Sequence, residues 1–286
     1  MSATLRPRRL AEFAGPLRRV GGLIVVMALV GLTAACGSPP SNSTSASSTS
    51  PSSTGTSTSS RTWSIVALGD SVPSGYNCNC TPYPQLSANG LTASTGQTVG
   101  ATNDAVAGYT TANVLQQLNS NRTVIDQVRK ADAVEINVGA NDVPYNAKSC
   151  GTSVDCYAPL VPSMQKNLAA IVSRVRDLTS GHKVLVVLLD YWSIWLGGKY
   201  AAEKGDAYVN AAREMTDQVN AAIKSTAAES GSAYVDLRQA FKGPNYAYDE
   251  THYLSSDGDH PNVAGHEAIA RATETVIEKA LHLKNR

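Results

Sequence analysis

Between residues 61 and 286, short apolar runs alternate with amphipathic stretches, a pattern that few folds can satisfy. Trp63–Leu68 (WSIVAL), Ala131–Val138 (ADAVEINV), Lys183–Leu189 (KVLVVLL) and Ser232–Leu237 (SAYVDL) each abut a Gly or an Asp, and Thr98–Thr102 is a weaker fifth run. Runs this short and this apolar suit strands buried on both faces. Between them, Leu160, Met164, Leu168, Ile171, Val175 and Leu178 recur at steps of three and four, which places them on one helix face. Val209, Ala212, Met215, Val219, Ala222 and Ile223 repeat that logic in a helix expected to stop near Gly231, and a last helix is expected over Val263–Leu283, just after Pro261. Helices alternating with buried strands mean βαβ units and a mostly parallel sheet covered on both sides. Ligands of such sheets bind outside the carboxyl ends of the strands, so the residues following each run are where chemistry is expected.

The preceding residues have a different character. Residues 1–19 hold five arginines against Glu12, and Gly21–Ala35 (GGLIVVMALVGLTAA) carries no charge. Fifteen apolar residues fall short of the roughly 20 that span a bilayer core, so residues 1–35 read as a secretory signal peptide. The segment Leu32-Thr33-Ala34-Ala35-Cys36-Gly37 resembles the lipobox of bacterial lipoproteins, with Cys36 as the lipidated residue, although Thr33 stands where an apolar residue is usual. A conventional signal that happens to contain a Cys is the other reading. From Ser38 to Ser60, 17 of 23 residues are Ser or Thr and none is charged. Such a segment cannot bury enough apolar surface to offset its conformational entropy, so residues 36–60 read as a disordered tether. The expected division is therefore 1–35 signal, 36–60 linker and 61–286 one catalytic-sized domain, on the outer face of a cell membrane or secreted.

Charge and cysteine usage agree with export. The chain carries 24 basic and 23 acidic side chains for a formal +1; residues 1–35 contribute five Arg and one Glu, so their removal leaves 19 against 22, or −3. That balance removes the electrostatic ground for nucleic-acid binding. Beyond Cys36 lie Cys78, Cys80, Cys150 and Cys156, an even number suited to disulfides in an oxidising compartment. Cys150 with Cys156 would close a short loop, a bond between Cys78 and Cys80 would be strained, and cross-pairing of the two loops stays open. Zinc is the other reading of four cysteines, but these spacings match no common finger or ribbon. No metal or cofactor is expected.

The strand ends carry the polar motifs. Gly69-Asp70-Ser71-Val72 follows the first run, and a Ser in a tight turn there can present its hydroxyl as a nucleophile. With Pro73 present, this is not the G-x-S-x-G elbow, and alone it is ordinary turn chemistry. Asp257-Gly258-Asp259-His260-Pro261 precedes the last helix. A serine needs a base, and the base needs a carboxylate to fix its tautomer, which His260 and Asp257 supply at a spacing that permits a local bond. Asn103–Thr110 (NDAVAGYT) and Gly139-Ala140-Asn141-Asp142 follow two other runs; a Gly backbone N–H and an Asn amide are suitable oxyanion donors. Trp192, Ile194 and Trp195, after the Lys183–Leu189 run, are read as substrate-pocket lining, with a core-covering loop as the plain alternative.

Together, Ser71 in GDSV, Gly108 in NDAVAGYT, Asn141 in GAND and His260 in DGDH resemble the SGNH-hydrolase family, also called GDSL esterases and lipases. The resemblance runs in order from about Trp63 to the last helix. It implies a flavodoxin-like, three-layer α/β/α fold with about five parallel strands. It implies Ser71 as nucleophile, His260 as base and Asp257 as the orienting acid. Ser71, Gly108 and Asn141 would be the oxyanion donors, with Asp70 and Asp142 organising their turns. The function expected is hydrolysis of carboxylic esters through an acyl-enzyme, by a monomer without cofactor, held to a membrane only if Cys36 is lipidated. Alternatives are an O-acyl esterase or acyltransferase on cell-wall or extracellular polysaccharide, and a non-catalytic surface-binding domain.

Overall fold

The structure is a computed structural model, described for residues 61–281. Five strands form: β1 (Trp63–Gly69), β2 (Val99–Asn103), β3 (Ala133–Asn137), β4 (Leu185–Leu189) and β5 (Ala233–Val235). They make one sheet in the order β2-β1-β3-β4-β5, and every neighbouring pair is parallel. This is the flavodoxin-like order, and it reverses direction at β1 and β3, where a crevice opens beyond the strand ends.

Ten helices connect and cover the strands: α1 (Ser71–Ser74), α2 (Tyr83–Thr95), α3 (Thr111–Ser120), α4 (Arg122–Val128), α5 (Val154–Tyr157), α6 (Val161–Leu178), α7 (Gly198–Ala202), α8 (Asp206–Ser230), α9 (Leu237–Lys242) and α10 (Val263–Leu281). Two helix groups flank the sheet: α2 packs on α10, while α6 packs on both α3 and α8. The three expected helices correspond to α6, α8 and α10, and α8 stops where Gly231 takes a left-handed conformation at φ +61°. Met164, Leu168, Ile171 and Val175 of the expected face are all buried, whereas Leu178 is half-buried and Leu160, just before α6, is 42% exposed.

Strand β3 is buried at every residue, Glu135 included. Gly69 ends β1 opposite Asn137 of β3, with φ +150°. A Cβ at Gly69 would run into the Asn137 carbonyl, so only glycine lets β1 turn here against its neighbour. The turn into Ser71 depends on that approach. Among the described residues no helix is long and apolar enough to cross a membrane. The expected signal peptide, the tether and Cys36 lie outside the described residues.

Candidate active site

The residue after β1 sets the geometry. Asp70 caps α1: its Oδ1 accepts from the Val72 N–H at 3.1 Å and its Oδ2 accepts from Tyr191 Oη at 2.5 Å. It is buried, and burial pushes its pKa up to about 7 against the opposing pull of those two hydrogen bonds. Ser71 is thereby fixed as the first residue of a single helical turn, where its own N–H has no place in the helix ladder.

Two further turns face it. After β2, the Val106 N–H donates to the Gly69 carbonyl at 3.0 Å, which binds this segment to the nucleophile turn. Gly108 then takes φ +84°, with open space where a Cβ would lie, so conformation and not crowding calls for glycine. After β3, Asn141 donates from Nδ2 to the Tyr109 carbonyl at 3.0 Å, leaving its second amide hydrogen uncommitted. Asp142 accepts from the Thr111 N–H at 2.9 Å and from Thr111 Oγ1 at 2.5 Å, docking the start of α3 onto the same turn.

The expected base, His260, and its carboxylate come from one loop. Asp257 Oδ2 lies 2.7 Å from His260 Nδ1, and Asp257 Oδ1 accepts the backbone N–H groups of Asp259 and His260, each at 3.1 Å. Partial burial raises the Asp257 pKa, but the His260 ring, those two N–H groups and Asn77 outweigh it and hold the carboxyl at about 2. Nδ1 is committed to Asp257, so Nε2 is the nitrogen that His260 offers to the cleft. Ser71, Gly108, Asn141 and His260 all line one cleft of about 360 Å³. Among the described residues no hydrogen bond joins the Ser71 hydroxyl to His260; such bonds commonly tighten only around substrate.

Tyr76, Tyr191, Ser193 and Asp259 also line this cleft, and sequence reasoning did not single them out. Asp259 was visible within the DGDH motif, and Tyr191 follows directly on the strand-ending Asp190. Burial raises the Asp259 pKa, with Asp257 adding to it and His260 opposing.

The expected pocket lining needs correction. Ile194 and Trp195 are buried and do not line the cleft. Trp195 donates from Nε1 to the Val143 carbonyl at 2.8 Å and meets Tyr145 and Tyr157 edge-on. Trp192 stacks on Phe241 with ring centroids 4.2 Å apart and borders a separate cavity of about 530 Å³. Large aromatic area pulls this segment inward, leaving Tyr191 and Ser193 on the cleft side.

The cysteines pair locally, Cys78 with Cys80 and Cys150 with Cys156, at Cα separations of 5.1 and 5.7 Å. The two bonds are local, and the two loops are not cross-paired. Cys78 and Cys80 also approach His266 with ligand atoms within 4.8 Å of one another, the one metal-sized cluster among the described residues. Both sulfurs are consumed by the disulfide, so no thiolates remain to hold a cation there.

A parallel sheet of this order, with Ser, Gly, Asn and His converging beyond its strand ends and an Asp three residues before the His, defines an SGNH-type ester hydrolase. The chain belongs to the GDSL-like lipase/acylhydrolase family, whose model matches residues 67–268. Among solved structures, it is similar to the lipase Lip_vut3 from a goat rumen metagenome, at 21% identity and TM-score 0.56, covering 75% of this chain and 97% of that one. It is similar also to a catalytic mutant of Axe2, an acetylxylan esterase from Geobacillus stearothermophilus, at 21% identity and TM-score 0.56, covering 75% and 94%. No curated protein matches at a significant level.

Proposed function

We propose that this enzyme hydrolyses carboxylic esters through an acyl-enzyme on Ser71. The observation that carries the proposal is the convergence of Ser71, Gly108, Asn141 and His260 on one cleft, with Asp257 2.7 Å behind the imidazole. Ser71 Oγ attacks the ester carbonyl while His260 Nε2 takes its proton. The Ser71 and Gly108 N–H groups and the Asn141 amide bind the oxyanion, and Asp257 stabilises the imidazolium. Collapse of the intermediate expels the alcohol with the proton from His260. Water, deprotonated by the same nitrogen, then attacks the acyl-enzyme and releases the acid. A fluorophosphonate probe tests this directly: labelling is expected at Ser71 and is expected to vanish in Ser71→Ala and His260→Ala. Labelling of any other serine at the same rate in Ser71→Ala would overturn it.

The substrate reading follows from the walls. Among the described residues no Lys or Arg lines the cleft, while Asp70 and Asp259 do, together with Tyr76, Tyr191 and small alanines. Such a surface suits short acyl groups on neutral, hydroxyl-rich alcohols, as in O-acylated carbohydrate, and one solved relative in fold is described as an acetylxylan esterase. The cavity of about 530 Å³ shares Ser193 with the cleft; its Trp192, Leu196, Val209 and Ala212 wall favours a second reading with longer acyl chains, although Lys199, Arg213, Arg238 and Lys242 line it too. Nitrophenyl esters graded from acetyl to palmitoyl, followed by acetylated glycans, separate the two. The signal-like residues 1–35 and Cys36 are the ground for an enzyme tethered to the outer face of the cell membrane or secreted. All the proposed groups come from one chain, which supports a working monomer; labelling with radioactive palmitate and light scattering test these two points.

A further inference from the structure

Ser71 and His260 belong to segments far apart in sequence, and neither β1 nor α10 alone fixes their distance. The loop after α1 spans that gap. The Tyr76 N–H donates to the Ser71 carbonyl at 3.1 Å, and the Tyr76 ring meets the His260 ring edge-on with centroids 4.9 Å apart. The next residue, Asn77, donates from Nδ2 to Asp257 Oδ2 at 2.7 Å. That is the same oxygen that holds His260 Nδ1. The other donors to Asp257 come from its own turn, so Asn77 is its one hydrogen-bond donor from outside that loop among the described residues.

The loop is also held at several points. Asn77 takes φ +60°, a left-handed conformation open to Gly and Asn but costly to most residues. Its carbonyl accepts from Ser255 Oγ at 3.4 Å, a second tie to the loop that carries the base. The Cys78–Cys80 bond follows immediately and closes the turn. Contacts therefore run from Ser71 through Tyr76 and Asn77 to Asp257 and His260.

We propose that Asn77 is a positioning residue for the Asp257–His260 pair, which sets the base relative to the nucleophile. This rests on the catalytic reading of Ser71 and His260 given above. Asn77 touches no reacting atom; it fixes the carboxylate that fixes the imidazole. The bond lies at an exposed position, where water competes, so a moderate effect is expected, not abolition.

Asn77→Gly separates this role from turn formation, because Gly keeps the left-handed backbone and removes the amide. We expect unchanged melting and KM, with kcat and the rate of fluorophosphonate labelling at Ser71 lowered about three- to tenfold. Asn77→Asp places a second carboxylate beside Asp257 and favours the protonated imidazole. The acidic limb of kcat/KM is then expected to move to higher pH. The other titratable groups around His260 are Asp257, Asp259, Asp70, Tyr76 and His266, and none of them changes in this variant. Wild-type kcat and labelling in Asn77→Gly would overturn the proposal, as would an unmoved acidic limb in Asn77→Asp should the Gly variant be destabilised. Absence of Ser71 labelling in the wild-type protein would instead overturn the catalytic reading itself.

Discussion

Tyr191 Oη donates to Asp70 Oδ2 at 2.5 Å, joining the end of β4 to the residue just before the nucleophile. Asp70 is held from both sides, by this phenol and by the Val72 N–H, so it acts as a clamp on the Ser71 turn. Tyr191→Phe removes one side of the clamp while keeping the ring. Above its pKa of about 7 Asp70 is charged, and a hydrogen bond to a charged group is worth about 1.5–3 kcal/mol, so at such pH a loss of that order is expected in chemical denaturation, with slower labelling of Ser71. Unchanged stability would show that the clamp is held by Val72 alone.

The proposed oxyanion donors make unequal demands. Asn141→Ala removes a side-chain donor and is expected to lower kcat roughly 10²–10³-fold with little change in KM. Gly108→Ala keeps its N–H and meets no atom within 4 Å, so its effect comes from φ +84° alone. A cost of about 1–2 kcal/mol from that conformation is expected, with most of the activity retained. Steady-state kinetics on one short-chain ester compares the two, and equal losses would remove the distinction between them.

Glu135 gives a pH dependence with a definite sign. It lies in the middle of β3, fully buried, and neither carboxyl oxygen has a hydrogen-bond partner among the described residues. Burial pushes its pKa from 4.5 to about 8. Between those values the folded protein holds a proton that the unfolded chain has lost, so stability falls as pH rises through this window and levels off above it. Asp70 and Asp190, each raised to about 7 by burial, tilt the curve the same way. In Glu135→Gln the melting temperature is expected to gain on wild type steadily from pH 5 to pH 8, and parallel curves would refute this account.

Trp195 tests where the aromatic segment acts. It is 4% exposed, so Trp195→Ala is expected to cost about 3–5 kcal/mol in denaturant titrations. The preference among acyl chain lengths should stay as it was, because the ring lines neither the cleft nor the larger cavity. A shifted chain-length profile at unchanged stability would restore Trp195 to the substrate pocket.

Four strands were legible as short apolar runs, β2 only weakly, and the three long helices by their apolar spacing of three and four. Helix α2 was not: YPQLSANGLTAST mixes Ser, Thr, Asn and Gly with few large apolar residues, and it folds because Tyr83, Ser87, Ala88 and Leu91 find buried space beside α10. The proposed triad and oxyanion residues were legible because their chemistry sits at strand ends in compact motifs. Asn77 and Tyr191 were not, since each acts on a partner more than a hundred positions away, through contacts that only the folded chain creates. The aromatic segment misled because a cluster of Trp and Ile reads equally as pocket wall or as core.

Strand β1 and the loop before α10 come from opposite ends of the domain's sequence, with Ser71 and His260 separated by 189 positions (260 less 71). A polypeptide that emerges from a ribosome or a translocation channel N-terminus first therefore presents its serine long before its histidine. Until the last loop docks, Ser71 has neither its proposed base, His260, nor the contacts through Tyr76 and Asn77 that lead to Asp257. On the proposed roles, a C-terminal truncation removing the last loop and helix is expected to take up no phosphonate at Ser71.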